Sequence, residues 1–166
     1  MRTFSRIVLV VSALGLAGCG FTPLYGTTDA GSPVALKLAS VSVTEQDTRL
    51  GQLVRNEIVS GISPAGSAGG NAYRLELNAK GSEELAVSAV DTESLRKYYR
   101  VNVSFVLYDN NTEKPVYSGK TFSQVSYDRI DAPVANLQAQ VNAQERAAAE
   151  TGRDIRTRLA AFMSTQ

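Results

Sequence analysis

The sequence predicts an α+β fold: a two-layer sandwich with two helices packed on one face of a four-stranded, mostly antiparallel sheet. Three observations predict it. Apolar residues alternate at a period of two in several separated stretches, as half-buried strands require. Two other stretches repeat at helical spacing, one of them over about 30 residues. The strands alternate instead of running continuously apolar, so one sheet face meets a core while the other is polar or wet. Helices laid on one face of such a sheet are the economical way to bury both apolar surfaces.

The elements follow in order. Val34, Leu36 and Leu38 alternate with Ala35, Lys37 and Ala39, and Val41 and Val43 resume the alternation after a slip at Ser40. This predicts a strand over 34–43 with a bulge near Ala39 and Ser40. Leu50, Leu53, Val54, Glu57 and Ile58 then give helical spacing, predicting a helix over 48–60 with Asp47 as N-cap and Gly61 as stop. The stretch 62–72 is rich in Gly, Ser and Ala and reads as a loop. Tyr73, Leu75, Leu77 and Ala79 predict the second strand. Lys80 to Glu84 reads as a turn or break, after which Leu85 and Val87 extend the strand or start a short one. Tyr99, Val101, Val103, Phe105 and Leu107 share one face of a strand over 98–108. The polar turn 109–114 and the return through Val116, Phe122 and Val125 complete a β-hairpin over 98–127. Asp131-Ala132-Pro133 opens the last helix, with Pro suited to a first turn. Its stripe is Val134, Leu137, Val141, Ala148, Ile155, Leu159 and Phe162, and Gly152 is a point for a kink or break.

Ahead of this domain lies a leader. Arg2 and Arg6 precede an apolar run from Ile7 to Leu16, and small residues follow at Ala17 and Gly18. This is the three-part layout of a secretory signal peptide. The run is too short for a membrane-spanning helix, which needs roughly 20 apolar residues. Leu16-Ala17-Gly18-Cys19 is similar to a bacterial lipobox: a thiol there can be alkylated by a diacylglycerol group, and cleavage before it frees an amine for a third chain. Two or more acyl chains hold a protein firmly on a membrane. Gly20, not Asp, follows the cysteine, which by that similarity favours the outer membrane. The expected organisation is a signal peptide over 1–18, an acylated Cys19 with a tether over 19–33, and a single α/β domain over 34–166. Phe21, Leu24 and Tyr25 are apolar for a spacer and are expected to dock on the domain or sit in the lipid interface.

Composition narrows the chemistry. The chain has 166 residues, with 17 Lys+Arg against 16 Asp+Glu. That balance gives no basic face for a nucleic acid. One Cys forms no internal disulfide, and with 0 His the commonest general base and zinc ligand are both missing. No nucleophile elbow, phosphate loop, dinucleotide fingerprint or metal spacing appears. The adjacent Glu83 and Glu84 would face opposite ways in a strand. The expectation is a tethered, non-enzymatic binding domain without a cofactor. Arg96, Lys97 and Arg100 beside Tyr98 and Tyr99 are the candidate patch for a phosphorylated or anionic ligand, with Lys80, Lys114 and Lys120 as additions if the fold brings them near. Solvated charges at a strand entrance are the alternative reading of that cluster.

Over nearly all of its mature length the chain resembles the lipopolysaccharide-assembly lipoprotein (LptE) family as found in alphaproteobacteria. The likeness rests on the opening LAGCGFTPLYG, the RLGQLVRNEI helix from Arg49, the YRVNVSFVLYD strand from Tyr99, the VYSGKTFSQVSYD strand from Val116 and the Ala/Glu-rich last helix. The resemblance implies an outer-membrane lipoprotein, lipid-anchored on the periplasmic side. It implies as partners the β-barrel protein of the lipopolysaccharide translocon, which such proteins plug and help to fold, and lipopolysaccharide itself. Basic residues that the family's enterobacterial members carry in the loop before the last helix find no match over 131–144, which holds no Lys or Arg. A structural adaptor for another outer-membrane assembly complex, or for a periplasmic partner gripped by the long helix, is the alternative function.

Overall fold

The computed structural model describes residues 33–62, 71–85 and 95–166. The leader, Cys19, the tether and Val87 lie outside the described residues. The elements are α1 (Pro33–Ala39), β1 (Val41–Val43), α2 (Arg49–Ile62), β2 (Tyr73–Leu85), β3 (Leu95–Asp109), β4 (Lys114–Arg129) and α3 (Pro133–Ser164). The sheet order is β1-β2-β3-β4, with β1 parallel to β2 and the other neighbours antiparallel. Helices pack on one face and the fold is the expected α+β sandwich, with one helix more than the sequence suggested.

The core lies between α2, α3 and the odd-numbered side of the sheet. Val101, Val103, Phe105 and Leu107 of β3 are buried there with Leu75, Val54, Ile58, Ile155 and Leu159. Register explains the grouping, because Leu75 pairs with Leu107 and Leu77 with Phe105, stacking side chains of one parity on one face. The hairpin closes through Asp109, whose carboxylate accepts from the Asn111 and Thr112 amides at 2.8 and 3.0 Å. Glu113 takes the left-handed conformation there, at φ 55°.

Five local expectations are corrected. The stretch 34–39 is a helix, not a strand: Leu38 is buried while Leu36 is 64 % exposed. Val34 and Leu38 are four apart and share a helix face, so the apparent alternation served a different period. Ser40 is the turn into a β1 of only three residues. Thr48, not Asp47, caps α2, its hydroxyl accepting from the Gly51 amide at 3.1 Å. Gly61 lies inside α2 against the Arg156 side chain instead of ending the helix. Lys80 to Glu84 does not break β2, which stays in register to Leu85 opposite Lys97. Every residue from Lys80 to Leu85 is exposed, so that end shows no alternation.

The fifth correction concerns the last helix, whose leading stripe residues Val134 and Leu137 stay exposed instead of packing on the sheet. The helix is continuous through Gly152 for 32 residues. Among the described residues no helix is long and apolar enough to cross a membrane. A Cβ at Gly152 would stand 2.7 Å from Glu57 Cγ and 3.3 Å from the Val54 carbonyl oxygen. The glycine therefore marks where α3 crosses α2 closely. Its buried residues run from Ala143 to Met163, whereas Val134 and Leu137 are 83 % and 62 % exposed.

Candidate functional site: the uncovered face of the sheet

Even-numbered residues of β2, β3 and β4 point away from the helices. Register aligns Lys80, Asn102 and Phe122 across the three strands, and Asn78, Ser104 and Lys120 in the next such row. Together these six residues line a shallow cavity of about 330 Å³ on the sheet surface. Phe122 is 65 % exposed at its rim. The Arg100 guanidinium lies over the Phe122 ring, 5.7 Å from its centroid, a cation–π contact.

The candidate residues named from sequence separate by strand parity. Arg96 and Arg100 are on the uncovered face. Lys97 is on the opposite face, where its Nζ donates to Glu83 Oε2 at 3.0 Å. Arg96 Nε donates to Asp128 at 2.9 Å, which raises the arginine's pKa through that hydrogen bond first and the carboxylate charge second. Arg100 reaches Glu84 at 3.6 Å and donates to the Gln124 side-chain oxygen at 2.6 Å. All three cations thus face carboxylates. Arg74 pairs with Glu76 at 3.4 Å and lies over the Tyr108 ring. Such exposed pairs contribute little stability each, but they neutralise most of the face.

Lys80 and Lys120 are different. Neither forms an ion pair among the described residues, so the net positive charge of this face concentrates at the cavity they flank. Lys114 does not join them, because it lies opposite Asp109 at the hairpin end of the strand ladder. Two ammonium groups, two side-chain amides, a hydroxyl and an exposed aromatic form a surface suited to an anionic group with an apolar body.

On the helix side, Glu83, Lys97 and Tyr127 form a second polar cluster. The Tyr127 hydroxyl is pushed up to about 12, by burial first and by its hydrogen bond to Glu83 second. Ser123 also donates to Glu150 across the layers.

No family model and no curated protein matches the chain. Among solved structures, it is similar to a Caulobacter crescentus protein described as a putative lipoprotein, at 28 % identity and a TM-score of 0.65, covering 80 % of this chain and 97 % of that one. A minor lipoprotein from Acinetobacter baumannii shares the fold, at 13 % identity and a TM-score of 0.52, covering 74 % and 91 % of the two chains. An α+β sandwich behind an acylation-type leader, similar to a chain of that description, places the protein in the lipoprotein class.

Proposed function

We propose that this lipoprotein works in the outer membrane as the plug of the β-barrel lipopolysaccharide translocon, assisting the barrel's assembly and the delivery of lipopolysaccharide to the outer leaflet. It is a binding subunit, not an enzyme. The lipobox leader, the fold shared with other lipoproteins and the likeness to the lipopolysaccharide-assembly family support this reading. The observation that carries it is the cavity between Lys80 and Lys120 with Phe122 at its rim. A phosphorylated, acylated glycolipid offers phosphates to the two ammonium groups and apolar surface to the ring.

Two measurements test it. A mild-detergent pull-down from outer membranes with a tag after Gln166 is expected to bring down one β-barrel of the translocon type in equimolar amount. A different assembly complex would replace this reading with that of a structural adaptor. The double variant Lys80→Glu/Lys120→Glu is expected to weaken lipopolysaccharide binding by at least about tenfold, since charge-assisted contacts contribute roughly 1.5–3 kcal/mol each. Unchanged binding would remove lipopolysaccharide from this face.

A further inference from the structure

The first ten residues of α3, Pro133 to Asn142, contain no buried residue, and Ala143 is the first. This overhang is about 15 Å long at 1.5 Å per residue. Ala139 packs against the core, but the outward side is exposed and uncharged: Ala132 to Gln144 holds no Asp, Glu, Lys or Arg, whereas Glu145 to Ser164 holds seven. A solvent-facing helix ordinarily carries charge on its outer side. Here Val134 and Leu137 lie exposed on one stripe, with Ile130 at 56 % exposure just before them.

The patch is held rigid. The Asn136 side chain turns back on the preceding loop, accepting from the Ile130 amide at 2.9 Å and donating to the Ile130 carbonyl at 2.7 Å. Beside it, a cavity of about 540 Å³ opens between the overhang and the end of the sheet, where the charged Lys97, Arg129 and Asp131 line it together with Ile130 and Leu137. An ordered aliphatic ridge next to a cavity binds with less ordering cost than a mobile one.

We propose that this overhang is the docking surface for a protein partner whose facing surface is itself uncharged, built of apolar and amide-bearing side chains. Charge depletion is the signature of a protein interface core. A membrane surface is the poorer occupant, because helices that lie on membranes carry Lys or Arg on the polar face and aromatic residues on the other. The overhang has neither. The surface stands on these observations alone, while the partner's identity as the translocon barrel rests on the function proposed above.

The test is site-specific photocross-linking in intact cells with the full-length, lipidated chain. A photoreactive residue replaces Val134 or Gln138 on the overhang, and Thr157 or Ala161 on the exposed outer side of the same helix as controls. The expected result is one protein adduct, identified by mass, from 134 and 138 but not from 157 or 161. Leu137→Glu and, independently, Gln138→Arg (read from position 134) should each reduce it at least about tenfold with an unchanged thermal melt. If the adduct is the translocon barrel, both proposals stand. If it is another identified protein lost in the same variants, the docking surface stands and the translocon function falls. A lipid adduct, no adduct, or equal adducts at all four positions overturns the docking surface.

Discussion

Tyr127 shows how a single group on the helix side of the sheet couples stability to pH. Its hydroxyl is neutral when protonated, and its folded pKa lies at about 12 against 10.0 for the free side chain. The unfolded chain therefore ionises first as pH rises. Tyr127's contribution is intact below pH about 10 and is lost as pH climbs from about 10 to about 12. Tyr127→Phe is expected to flatten the fall of melting temperature across that window, while parallel curves for both proteins would show that other groups dominate it. Parity also governs the basic cluster around it. Arg96, Lys97 and Arg100 fall within five residues, but in a strand position 97 must point opposite to 96 and 100. The pleat alone thus separated Lys97 from its neighbours and left Lys80, Asn102 and Phe122 available as a row. Which strands lie beside each other is the information a single strand lacks, so the pairing of Lys80 with Lys120 around one cavity was not legible before the register was known.

Among the elements, strands covered on one face were legible and those lacking a cover were not. β3 buries alternate residues against helices throughout its middle, and its alternation is correspondingly clean. The outer half of β2 is exposed at every residue from Lys80 to Leu85, so composition there reports mainly solvent. α1 was misread because seven residues support both periods, and docking of Leu38 decides between them. In α3 the apolar stripe predicted one uniform core contact, whereas the protein divides it into an exposed leading part and a buried part made mainly of Ala, Gly and Ile. Small residues carry weak hydrophobic signals, and here they mark close approach to α2. Gly152 sits at that crossing. Gly152→Val is expected to destabilise the domain by about 1–3 kcal/mol through overpacking against Glu57 and the Val54 carbonyl. A thermal melt lowered by several degrees would bear this out, and an unchanged melt would show that the helices separate freely.

At the scale of the molecule, the chain is joined end to end. Lys37 Nζ donates to the Met163 carbonyl at 3.3 Å, so α1, the element nearest the tether, is seated on the last turn of α3. Met163 is fully buried and Phe162 stacks on Tyr117 at 4.9 Å. A chain ending at Ala161 is expected to lose about 2–5 kcal/mol of stability and to expose the α1 amides to hydrogen exchange. A chain lacking only Ser164 to Gln166, which are exposed, should keep both near the full-length values. The hairpin and the long helix were readable in isolation, but this closure was not, because it joins residues 126 positions apart. It also sets an order of events. A chain made from its N-terminus presents α1 first and the residues that secure it last. The other α3 and hairpin contacts can form while α1 is still unseated, and the arrival of Phe162 and Met163 completes its seat. A chain interrupted near its end is therefore expected to keep the sandwich while losing the seat of α1 on α3.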